Sequence, residues 1–123
     1  MKGLIFVAAA FMMPWSLQAH HGWTEFDSGQ EITLNGSVTD FHFVNPHCVV
    51  EFDAKDSKGQ MRRWQGEFSS PGPMTRKGWT AASLQPGDTF TATGNPAKSG
   101  VPAIHVLRIR LANGQEISVD SAR

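Results

Sequence analysis

Five histidines carry most of the chemistry this chain can do. His20 and His21 are adjacent and stand just before Trp23, His47 follows the rigid Asn45-Pro46 corner, and His105 opens an apolar stretch. If His20 is the first residue of a processed chain, its α-amine titrates at about 7.7–8.0 and its ring near 6.5. Both are then able to lose their protons near neutral pH. The amine and ring of His20 can chelate one metal ion, and a nearby imidazole can complete the set. His21 can instead bind through the terminal amine and the intervening amide nitrogen. Nitrogen-rich sets of this kind suit Cu(II) or Ni(II) in tetragonal geometry, whereas zinc prefers a tetrahedral arrangement. The candidate metal ligands are therefore His20, His21 and His47, with His105 or Cys48 as a further donor and copper as the first candidate ion. His42 lies between Phe41 and Phe43, so strand alternation points it away from both and sets it apart from this group. Taken singly, each residue also has a plainer role: a flexible leader for the His pair, and a backbone-bonded turn residue for His47.

A free amine at His20 needs a cut after Ala19, and the preceding residues have the composition for one. Lys2, the apolar run Leu4 to Met13 and the small Ala19 form the pattern of a secretory signal peptide. The apolar run is shorter than the roughly 20 residues of a bilayer-spanning helix, so cleavage is favoured over anchoring. The expected organisation is a signal peptide at 1–19, an N-terminal arm at 20–30 and one domain at 31–120, in a periplasmic or secreted protein. Loss of 19 of the 123 residues leaves 104, enough for a single domain. Lys2 leaves with the signal, so the remaining 10 basic residues face 11 acidic ones and the net charge is −1. A near-neutral surface without charge runs argues against a nucleic-acid partner or a polybasic membrane patch. Cys48 is the single cysteine and has no partner within its own chain. Beside two valines, it reads first as a small buried hydrophobe.

The strand and turn signals describe what must position these groups. Ile32, Leu34, Gly36 and Val38 alternate with Thr33, Asn35, Ser37 and Thr39, and Phe41 and Phe43 continue on the opposite parity. Such a phase shift predicts a bulge in a long bent strand, and Gly36 offers a place for it to curl. A second strand is expected from Cys48 to about Ala54 and a third from Gln60 to Phe68, joined at Asp56-Ser57-Lys58-Gly59. A short helix is expected over Met74 to Lys77, left at Gly78, with one more helical turn at Thr80 to Leu84. Strand four is placed at Thr89 to Thr93, a turn at Asn95-Pro96, and strand five at Ala103 to Leu111. On that last strand His105, Leu107, Ile109 and Leu111 are expected to share one face. Asn113-Gly114 then turns into a short strand through Ile117 and Val119. Three strands, a helical insert and two more strands give an all-β, five- to six-stranded barrel of OB-fold type. An SH3-like barrel or an open sandwich is the alternative. In an OB barrel strands one, two and five meet near one end, so His47 and His105 can approach each other.

Two other functions compete with metal binding. OB barrels bind extended ligands across strands two and three on aromatic platforms. Trp64 with Arg62, and Trp79 with Arg76, are the candidate contacts for a peptide, glycan or protein partner. Packing is the simpler role for both rings, with Trp79 capping the barrel bottom. Catalysis is the weaker alternative. Glu67 and Asp88, or Ser69 and Ser70 with a histidine, are the available groups, and no nucleophile elbow, phosphate-binding loop or metalloprotease His pair occurs.

The start Ala19-His20-His21, followed by Phe26-Asp27, resembles that of a family of small exported bacterial proteins known as a domain of unknown function. The likeness continues through Ile32-Thr33-Leu34-Asn35-Gly36-Ser37-Val38, Asn45-Pro46-His47, Glu67, Ser70-Pro71 and Arg76-Lys77-Gly78-Trp79. It extends to Leu84-Gln85-Pro86-Gly87-Asp88 and Pro96-Ala97-Lys98-Ser99-Gly100. The chain departs from the family pattern at Ser99, where Asp is usual, and at Cys48-Val49, where a small residue and an aromatic are usual. The resemblance implies export and a compact β domain, and it brings no reaction with it.

Overall fold

The structure is a computed structural model and describes residues 23–119. The proposed signal segment and the His20-His21 pair lie outside the described residues. Six strands form one sheet: β1 (Ile32–His42), β2 (Val49–Lys55), β3 (Met61–Glu67), β4 (Thr89–Pro96), β5 (Ala103–Leu111) and β6 (Glu116–Ser118). Their order is β3-β2-β1-β4-β5-β6, and β3 also pairs with β5. That last pairing is parallel and closes a five-stranded barrel, to which β6 is added. The helix α1 (Pro71–Arg76) lies between β3 and β4. This is the strand order and insert position of an OB fold.

β1 closes the barrel on both sides because it is long and bent. Its first half, from Ile32 to Ser37, pairs with β4, and its second, from Gly36 to His42, pairs with β2. Gly36 sits where the two ladders overlap. A Cβ there would stand 2.6 Å from Phe52 Cδ2, so only glycine lets the Phe52 and Phe90 rings meet edge to face at 5.1 Å. The expected phase shift is a bulge between Val38 and Asp40. It carries Leu34 and Val38 inward on one side and Phe41 against the core on the other.

Three sequence expectations are corrected. β4 does not turn at Asn95-Pro96 but runs through it, with Asn95 paired to His105. Residues Thr80 to Leu84 form a turn rather than a helical turn, in which Ser83 N donates to the Thr80 carbonyl and Ser83 Oγ accepts from Thr80 N. On β5 the face assignment fails. Thr93 pairs with Arg108 and Gly94 with Val106, so Leu107 is an extra residue and inverts the alternation. Ile104 and Val106 therefore enter the core with Ile109, and His105 points through the outer side of the barrel wall.

The helix begins at Pro71, where a missing amide costs nothing, and leaves through Gly78 at φ +90°. It drops Met74 into the barrel bottom beside Trp79, Phe68 and Leu84, all essentially inaccessible. Burial of each such side chain contributes about 1.5–3 kcal/mol. Among the described residues no helix is long and apolar enough to cross a membrane.

Candidate functional site

The segment ahead of β1 does not hang free. Phe26 bridges to Ala97, Asp27 N donates to the Pro96 carbonyl at 2.8 Å, and Lys98 N donates to the Glu25 carbonyl at 2.9 Å. Asn95 Nδ2 donates to the Gln30 carbonyl at 2.7 Å. These contacts lay the arm along the end of β4 and the residues that follow it, Asn95 to Lys98. Trp23 consequently stacks on His105 with ring centroids 3.7 Å apart, and on His47 at 4.5 Å. Phe26 approaches the His105 ring at 6.0 Å. The Asn45-Pro46 corner carries His47 over to this place from the β1–β2 connection, and the Leu107 bulge turns His105 out to meet it.

His105 is a histidine lifted out of water. It is 4% exposed, and its Nε2 has no hydrogen-bond partner among the described residues. Burial first, and the nearby His47 second, together lower its pKa to about 4. The ring is therefore neutral at any physiological pH, and a neutral imidazole is the form that binds metal. Glu67 is its partner in the parallel β3–β5 register. Thr39 Oγ1, Ser69 Oγ and Trp79 Nε1 are likewise buried without a partner. None of those three offers a nitrogen lone pair.

A family model covers residues 9–104. The chain belongs to a family of unknown function, DUF6152. Neither a curated protein nor a solved structure matches it. The span matched to DUF6152 takes in the His pair, Trp23 and the Asn45-Pro46-His47 corner, and it ends one residue before His105.

The remaining candidates in this DUF6152 chain are dispersed. Cys48 is fully buried in the core cluster rather than in the ring stack. Burial pushes its thiol pKa up, only partly offset by a hydrogen bond with the Val44 backbone. Trp79 is 1% exposed and packs on Phe68 and Phe41 at the barrel bottom, with Arg76 at the last turn of α1 beside it in sequence. Trp64 is 8% exposed, and its indole N–H donates to the Ala54 carbonyl at 3.2 Å. Its edge and Arg62 line a groove of about 530 Å³ near the start of β1. Neither tryptophan forms the open platform expected of an extended-ligand face.

Two residues outside the candidate set stand out. Trp23, assigned only to a polar arm, is the plate on which both histidines rest. Its signal in the sequence is a large aromatic that, with Phe26, interrupts a polar arm. His42 points outward, as strand alternation requires. There it lies 3.3 Å from Asp40 and 3.8 Å from Glu51, because the bulge in β1 brings Asp40 opposite Glu51. These three are the one group among the described residues whose donor atoms all lie within 4.8 Å of one another. Their side chains are 55%, 44% and 33% exposed for Asp40, His42 and Glu51, as in ordinary surface ion pairs.

Proposed function

We propose that this chain is an exported binding domain that holds a transition metal, copper first, at its histidine-rich end. The observation that carries this reading is Trp23 stacked on both His47 and His105. It places Trp23 itself against both rings. His21 is two residues before Trp23, so the chain keeps their Cα atoms within about 7.6 Å of each other. The amine and ring of His20, the ring of His21 and the ring of His47 would supply the donors, with His105 as a further nitrogen. That set is nitrogen-rich and suits Cu(II). His105 adds a ring that stays unprotonated to about pH 4. Cys48 is omitted, since its thiol is in the core and resists ionisation.

The test is a Cu(II) titration of the purified protein, followed by visible absorption and electron paramagnetic resonance. Mass spectrometry first establishes the N-terminus. The expected result is a d–d band saturating at one ion per chain, lost in a His20→Ala, His21→Ala double variant and weakened at least about tenfold in His47→Ala. His42→Ala is expected to leave binding unchanged. The absence of a d–d band, or unaltered affinity in the double variant, removes this reading. Binding lost only in His42→Ala transfers the ion to Asp40, His42 and Glu51.

A further inference from the structure

The groove beside Trp64 has a composition that the metal reading does not use. It lies where the barrel seam is open. β3 and β5 are paired only over Gln65–Glu67 and Ala103–His105, so the earlier residues of β3 stand apart from the β4–β5 connection. The gap is about 530 Å³, within the range of small-molecule sites.

Its rim is basic on balance, with three cations to one carboxylate. Lys55, Lys58 and Arg62 line it together with a single carboxylate, Asp56. One oxygen of that carboxylate is already engaged, accepting the Lys58 and Gln60 amides at 2.9 Å each. None of the three cations has an ion pair or side-chain hydrogen bond among the described residues. The other strand arginines are matched, Arg63 with Asp53, Arg108 with Glu31 and Arg110 with Glu116; Arg76, on α1, stands alone rather than in a cluster. Below the rim the wall is apolar, built from Ile32, Leu34, Trp64 and Pro102. Clustered unpaired cations repel one another, and an anion relieves that cost. A bare ion would leave the apolar wall in water, so an apolar body is needed as well.

We propose that this groove binds a small amphiphile with one anionic head, a carboxylate or a phosphate monoester. The head sits on Lys55, Lys58 and Arg62, where the guanidinium fork accepts either oxyanion in bidentate fashion. The apolar body lies along Trp64 toward Pro102. This site is separate from the ring stack and needs no metal.

The test uses the ¹⁵N-labelled protein with EDTA present. It is titrated in turn with octanoate, octyl phosphate, 1-octanol and inorganic phosphate at constant ionic strength. Octanoate or octyl phosphate is expected to shift the Trp64 indole and the Lys58 and Arg62 amide signals, and the tighter of the two names the head. Octanol and inorganic phosphate are expected to bind at least about tenfold more weakly, and a Lys58→Glu, Arg62→Glu variant to lose about tenfold or more in affinity. Its dispersed spectrum confirms that it folds. The proposal is overturned if neither amphiphile shifts these signals or if the charge-reversed variant binds equally well. It is equally overturned if octanol or free phosphate binds as tightly as the amphiphile.

Discussion

Trp23 and His105 lie face to face, with 3.7 Å between ring centroids and 10° between ring planes. The contact joins a residue of the arm to one in the middle of the barrel wall. It also explains the state of the imidazole, because the indole is part of what keeps water from it. Trp23→Ala is therefore expected to raise the His105 pKa from about 4 toward the ordinary 6.5. Loss of the stacked pairs is expected to cost more than about 1 kcal/mol of stability. Ring-proton chemical shifts followed through a pH titration check the first effect, and urea unfolding checks the second. An unmoved His105 titration means that the wall alone desolvates the ring.

The same imidazole makes stability depend on pH in a defined direction. Its folded pKa, about 4, lies below its ordinary value of 6.5. Between those values the unfolded chain takes up a proton that the folded ring refuses. Unfolding free energy should thus fall as pH drops from 6.5 to 4 and lose nothing further through this group below that. The upper figure for the whole window is about 3 kcal/mol. His105→Leu removes the titration while the carboxylates remain common to both proteins. Between pH 7 and pH 4.5 the urea midpoint of the unaltered protein should fall further than that of His105→Leu. Equal losses in both proteins would assign the acid sensitivity to other groups.

The barrel was legible because period-two patterning and turn residues act locally. The bulge in β1 could be inferred from the parity change between Val38 and Phe41, since both sides of the break carry large apolar groups. The bulge in β5 left no such mark. Leu107 is apolar and fits an unbroken His105, Leu107, Ile109 series, so only the pairing with β4 shows it to be the extra residue. Asn95-Pro96 signals a turn by composition, yet Pro96 can end a strand and Asn95 spends its side chain on the arm. The approach of His47 to His105 followed from strand order alone. That Trp23 mediates it did not, because the arm's position depends on one bridge, Phe26 to Ala97, with no pattern of its own. The Asp40, His42 and Glu51 group depends on register, which hydrophobic alternation does not specify on the solvent side.

Gly94 and Gly66 both face β5, and they should differ sharply as alanine variants. A Cβ on Gly94 would meet the backbone carbonyl of His105 and lie 3.1 Å from Val106 Cα. Backbone in a closed barrel has nowhere to go, so Gly94→Ala is expected to cost about 3 kcal/mol or more. It should also disturb the His105 resonance. At Gly66 the new methyl would meet Val106 Cγ2 and Val50 Cγ1, each at 2.9 Å. Those are methyls of buried valines, which yield less readily than a flexible chain end but more than backbone, so Gly66→Ala is expected to cost about 1–3 kcal/mol. Chemical denaturation of the two variants gives the comparison. A Gly94→Ala protein as stable as Gly66→Ala would mean that β4 and β5 are less tightly coupled at the bulge.

Cys48 gives a direct test of where the core lies. Its side chain is wholly inaccessible, and its backbone pairs with Phe68 and Ser69 across the mouth of β2. Burial raises the thiol pKa, so little thiolate exists even at pH 8. A thiol reagent should reach it only when the domain opens. Labelling is then expected to be at least about 10³-fold slower in the native protein than in urea. Substitution should separate volume from polarity. Cys48→Ala removes one buried sulfur, whereas Cys48→Ser places a hydroxyl within the apolar core cluster, where it must find a partner or cost about 1–3 kcal/mol. Serine is therefore expected to be the less stable of the two by urea unfolding. Fast native labelling, with serine tolerated as well as alanine, would place the thiol at the surface beside His47 and restore it as a candidate donor.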